Sequence, residues 1–127
     1  MSSNVTRTNA VTIINAITAA YKHTPAQTAA GISVLDIIDA ATDRAALASA
    51  INGLTPAQSM AQTVFTHVLL PYLEARRGVL AQIELEAAQA SGAEITKRQM
   101  SGFKLAISAG NAADLAWIAT RAGVTLV

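Results

Sequence analysis

The chain has 127 residues, 13% of them charged, a net charge of +1 and no cysteine. That length bounds it to one domain, large enough to bury about two-thirds of the surface its unfolded form exposes. The near-zero balance excludes a general attraction to nucleic acid or anionic membrane. The missing cysteines exclude a disulfide framework, a thiolate metal site and a Cys nucleophile.

Globular domains carry about 25% Asp, Glu, Lys and Arg, so this one holds about half the usual charge, and alanine is its commonest residue. Thr12, Asn15, Thr18, Gln62, Thr63, Gln82 and Gln89 stand where helices would face outward. Neutral polar groups therefore replace part of the missing charge, while electrostatic repulsion between copies stays weak. The greasiest stretch, Val64 to Leu73, is interrupted by Thr66 and His67 and falls short of the roughly 20 residues of a membrane span. Met1 to Arg7 lacks the basic region and apolar core of a signal peptide. The expectation is a chain of the cytoplasm, or of a virion assembled there, with no membrane partner.

Val11, Ile14, Ile17 and Tyr21 recur at helical spacing, which predicts a first amphipathic helix over Thr6 to Lys22. Thr24-Pro25 starts the next, with threonine as N-cap and proline in the first turn. Gly31 is expected to interrupt that helix, and Ser33 to cap a further segment from Val34 to Ala41. Thr42-Asp43 opens a short helix with Ala46, Leu47, Ala50 and Ile51 inward, closed by Gly53. Thr55-Pro56 repeats the start signal and opens the longest helical stretch, to about Ala90. Its expected inner stripe is Phe65, Leu69, Tyr72, Leu80, Ile83 and Ala87, with a kink or break at Pro71. Thr96 caps a helix over Lys97 to Ala109, Gly110-Asn111 makes a turn, and a last helix over Ala112 to Ala122 buries Leu115, Ile118 and Trp117 before Gly123. No segment alternates with period two. The predicted fold is all-α: a single domain over 1–127, a compact bundle of five to seven helices with a short polar N-terminal arm and an apolar tail.

Thr-Pro-Ala-Gln occurs at both Thr24 and Thr55 and reads as one helix-start chemistry used twice, since the apolar positions that follow drift out of register. Ala41/Ala45, Ala46/Ala50, Ala109/Ala113 and Ala112/Ala116 are spaced to share helix faces, where small side chains let axes approach closely.

Sites announced by the sequence are few. His67 and Glu74 lie two turns apart and could share a helix side, but a metal needs three or four ligands. His23 ends the first helix, where its charge would suit the dipole. Asp36, Asp39 and Asp43 form an acidic stripe, read as a solvated face beside Arg44. Arg76, Arg77, Lys97, Arg98 and Lys104 are the candidate phosphate contacts, with pairing to Glu74, Glu84 or Glu94 as their alternative role. There is no nucleophile elbow or Gly-rich phosphate loop. No cofactor and no catalytic residue is assigned, and the chain is expected to be non-enzymatic. Low charge, alanine faces and the apolar tail point to a structural subunit that assembles with copies of itself or with a larger complex, such as a bacteriophage coat, decoration or connector protein. In that reading Val124, Leu126 and Val127 are candidate subunit contacts. The second reading is a small helical protein that meets nucleic acid through the five cations.

Overall fold

A computed structural model describes residues 4–127. Met1 to Ser3, the start of the polar arm, lie outside the described residues. Seven helices follow one another: α1 (Arg7–Tyr21), α2 (Pro25–Ala40), α3 (Arg44–Asn52), α4 (Pro56–Val64), α5 (Thr66–Ala90), α6 (Lys97–Ala112) and α7 (Ala116–Ala122), with no strand among the described residues. The all-α bundle is as the periodicity predicts.

Side-chain chemistry sets most helix starts. Thr6, Thr24, Asp43, Thr55 and Thr96 each accept a hydrogen bond from the backbone N–H three residues on. At Thr24, Thr55 and Thr96 the bond is reciprocated, because Gln27, Gln58 and Gln99 accept from the backbone N–H of the capping threonine. Two of the four donors that a helix N-terminus leaves unpaired are thus satisfied at each box. The repeated Thr-Pro-Ala-Gln is this box with proline added in the first turn.

Three boundaries differ from the sequence reading. α2 runs straight through Gly31, and Ser33 is no cap; its hydroxyl donates to the Ala30 carbonyl. The reason is Phe65: a Cβ at position 31 would lie 2.8 Å from its ring, so this glycine makes room for a side chain. The long stretch is broken near Pro71 as expected, but the junction falls at Phe65, six residues before it, and Pro71 itself sits inside α5. Gly110-Asn111 makes no turn. α6 continues to Ala112, and α7 starts only at Ala116, whose N–H donates to the Asp114 carboxylate at 2.7 Å.

α2 is the hub, packing on α1, α3, α4 and α5, while α7 lies on α1. Ile13, Ile14, Val34, Leu35, Leu47, Phe65, Val68, Leu69, Leu80 and Leu115 fill the core, each almost wholly out of water. Fully burying such side chains stabilises by roughly 1.5–3 kcal/mol each before ordering costs. The inner faces shift from those predicted: α1 buries Ala10, Ile13 and Ile14 while Tyr21 is 74% exposed, and Ala46, Ile83, Ala87 and Trp117 face outward.

The second half of α5 leaves this core and is met mainly by α6, whose one substantial neighbour is α5. The short connection makes them an antiparallel hairpin. Their axes cross at Gly78 and Gly110, where a Cβ on either residue would come within 2.9 Å of the other's Cα. Gly110 is the only buried residue of α6.

The tail does not reach away from the domain. Val124 and Leu126 pack against the core. The Asn9 side-chain amide, 1% exposed, donates to the main-chain oxygens of Asn4 and Val127 at 2.8 and 3.1 Å, and its oxygen accepts from the Val127 N–H at 3.0 Å.

Candidate functional site

The candidate phosphate contacts do not form one patch. Arg76 is engaged by its own fold: its guanidinium donates to the carbonyls of Asp39 and Ala41 at 3.3 and 2.8 Å. These are carbonyls at the end of α2, which a helix leaves unpaired and which carry its partial negative charge. Arg77 is exposed beside Gly78, level with Ala106 and Gly110 of α6. Lys97 begins α6 nine residues earlier than Ala106, roughly 13 Å away along the axis. Arg98 points about 100° from Lys97, whereas Lys104, seven residues on, shares its side. The expected pairing with glutamates is also replaced: Glu84 accepts from Arg44 Nε at 3.1 Å, and the Arg44 guanidinium lies 4.9 Å above the Phe103 ring.

The acidic stripe is divided among structural tasks. Asp36 and Asp39 meet Arg7 at 2.6 and 3.5 Å, and Asp43 caps α3. No group of three or more His, Asp or Glu residues able to hold a metal ion occurs among the described residues. Asp39 also accepts from the Tyr72 phenol at 2.7 Å. Burial, then the bond to Asp39 and the charge of Asp39, hold the phenol's proton well above the usual value of 10.0. The folded state therefore binds this proton more tightly than the unfolded chain. The resulting stabilisation is whole below about pH 10 and is lost as pH rises beyond it. Tyr72→Phe is expected to cost about 1 kcal/mol at neutral pH and to flatten the alkaline decline. Urea denaturation of both proteins at pH 8 and above pH 10 measures this; equal alkaline slopes would refute the assignment.

Two of the grooves among the described residues are lined mainly by apolar side chains. The first is one side of the α5–α6 hairpin, a groove of about 280 Å³ lined by Ala75, Val79, Ile83 and Ile107 beside the Gly78–Gly110 crossing, with Gln82 and Asn111 at its rim. None of its lining residues is charged. Ile83 is 53% exposed. Leu105, also exposed, lies about 200° around α6 from Ile107 and belongs to the helix's other side.

The second surface is a wider groove of about 700 Å³ between the end of α1, the α4–α5 junction and α7. Its walls hold both histidines of the chain and three of its five aromatic residues, Tyr21, Phe65 and Trp117. Lys22 adopts a left-handed conformation (φ 55°), and the His23 N–H donates back to the Thr18 carbonyl at 3.0 Å. This turn closes α1 and sets the His23 ring edge-on to Phe65 at 5.6 Å and stacked with Tyr21 at 6.2 Å. Across the groove His67 meets Trp117 edge-on at 5.1 Å, and the Arg121 guanidinium sits 5.3 Å from the same indole. Both distances suit aromatic pairing and cation–π attraction. His67 thus turns to α7, where it pairs with Trp117.

The chain matches no family model, no curated protein and no solved structure.

Neither surface was announced by a motif. His67 and Trp117 come together only through tertiary packing, and the one local signal was Trp117 in a short, otherwise alanine-rich helix. Among the described residues no helix is long and apolar enough to cross a membrane.

Proposed function

We propose that this protein is a non-enzymatic structural subunit that assembles with copies of itself through the α5–α6 hairpin. The observation that supports this is the placement of α6. A helix of 16 residues buries a single glycine within its own chain and leaves Val79, Ile83 and Ile107 around an uncharged groove. A helix normally lays an apolar stripe on a core; here part of that stripe has no partner in the same molecule. A second copy of the hairpin offers the complementary surface, since a two-fold contact uses the same patch on both sides. The chain's low charge adds little repulsion to such a contact. A particle built of many copies, such as a bacteriophage coat, decoration or connector layer, is the assembly we favour. Val127, largely exposed, is the tail residue left available for neighbours. Nucleic acid has less to hold, because Arg76 is occupied and the other cations are spread over two levels and two sides of the hairpin.

Light scattering tests the reading. The expected mass is a multiple of 13.1 kDa, and Ile83→Glu should return the protein to a monomer with unchanged helix content. A wild-type monomer up to roughly millimolar concentration would leave no association stronger than about 4 kcal/mol and would sink it. Electron microscopy of any large species then gives the symmetry.

A further inference from the structure

We propose that the groove between α1, the α4–α5 junction and α7 is a binding site for a small flat aromatic ring that carries one acidic group, an aryl carboxylate or a nucleoside monophosphate. The site is separate from the hairpin face, with which it shares no lining residue.

Its size comes first. About 700 Å³ lies well within the roughly 300–1,000 Å³ of small-molecule sites, so one or two rings fit with an appended acid. The ring chemistry comes next. Tyr21 and Trp117 are 74% and 57% exposed although they are among the chain's largest apolar side chains, and both line the groove. Trp117 is contacted by His67 in a T-shaped pair and by the Arg121 guanidinium. A ring docking there meets an ordered indole, so little rotamer freedom is lost on binding.

The charge selects the acid. No Asp or Glu lines the groove, and Arg121 is its one permanently charged residue. Arg121 takes part in none of the ion pairs found among the described residues, which use Arg7 and Arg44. Its guanidinium lies 5.3 Å from the indole centroid, with hydrogen-bond donors to offer a carboxylate or phosphate. A neutral ring would cover Arg121 without replacing its water, and a cation would be repelled. One acidic group beside one ring is the chemistry that uses both features.

Trp117 is the only tryptophan, so its fluorescence reports the site directly. The probes are benzoate and adenosine 5′-monophosphate, against benzyl alcohol, adenosine and inorganic phosphate. Saturable quenching by at least one acidic ring is expected below about 1 mM, with the neutral rings and phosphate alone at least tenfold weaker. Arg121→Gln should weaken the acid about tenfold, the scale of one charge-assisted bond, and Tyr21→Ala should weaken it as well. Both positions are exposed, and circular dichroism checks that each variant keeps its fold. Ile83→Glu should bind like the wild type, which keeps this outcome distinct from the fate of the assembly reading. Benzoate binding without the nucleotide identifies an aryl carboxylate as the source chemistry, and the reverse identifies a nucleotide. No saturation by either acid, equal binding of neutral rings, or undiminished affinity in Arg121→Gln overturns the proposal.

Discussion

Gly110→Ala is expected to lower the unfolding free energy by about 1–2 kcal/mol. The added methyl would stand 2.8 Å from the Cα of Gly78 and 3.1 Å from the Glu74 carbonyl, both backbone atoms of α5. Side chains can rotate away from an intruder, but a helix backbone can only translate. Overfilling a packed contact costs about 1–3 kcal/mol, and alanine returns at most about 1 kcal/mol of helix propensity over glycine. The steric term wins. Gly78→Ala meets the same geometry from the other side, with Gly110 Cα at 2.9 Å and the Ala106 carbonyl at 3.2 Å. Gly102 supplies the control. It lies in the same helix with nothing within 4 Å of its would-be Cβ, so Gly102→Ala should stabilise by about 0.5–1 kcal/mol. Urea denaturation gives the two signs. Hydrogen exchange should further show α6 amides losing protection in Gly110→Ala while the amides of α2 keep theirs, because α6 has α5 as its one substantial neighbour. A stabilised Gly110→Ala would mean that the helices do not cross as closely as described.

Asn9→Ala is the second large effect, expected at about 2 kcal/mol. One side-chain amide pairs with the oxygen and the N–H of Val127 and with the Asn4 oxygen, which also accepts from the Thr6 N–H. Leaving a buried polar group unpaired costs about 1–3 kcal/mol each; water reaches these groups in part, which keeps the sum toward the low end. Against a total stability of roughly 5–15 kcal/mol that is a large share. Asn9→Asp discriminates the mechanism. A carboxylate gains up to about 1 kcal/mol from its place in the first turn of α1, yet it cannot donate and would face two carbonyl oxygens. The aspartate variant should therefore also be destabilised. Chemical denaturation measures both, and an Asn9→Asp protein as stable as the wild type would show that the amide's donor role is dispensable.

Helix starts were legible because capping is local: Thr24, Thr55 and Thr96 act within three residues of themselves. Gly31 and Gly110 read as interruptions along the chain for a physical reason. A glycine that permits a turn and a glycine that permits a close approach look alike along the chain, and only the partner, the Phe65 ring or Gly78, tells them apart. Ile83 and Ala87 were assigned inward because periodicity runs unchanged along α5, while the core it faces ends near Ala81. Trp117 read as core for the same reason, since hydrophobicity does not say whether a neighbour exists to cover it. The groove was the least legible part. Its members come from α1, the α4–α5 junction and α7, and no spacing rule links His23 to His67 or His67 to Trp117. Arg76 reads along the chain as a phosphate contact or a partner for a glutamate, because nothing near it reveals the carbonyls at the end of α2.

The bonds at Asn9 also bear on how the domain comes apart. Peripheral segments of a small protein ordinarily fray independently and first. Here the segments around Asn4 and Val127 are both pinned to one buried side chain of α1, so each must break its own bonds to Asn9 before it can leave. Losing the Asn9 side chain therefore loosens both segments at once, although they lie at opposite ends of the described chain.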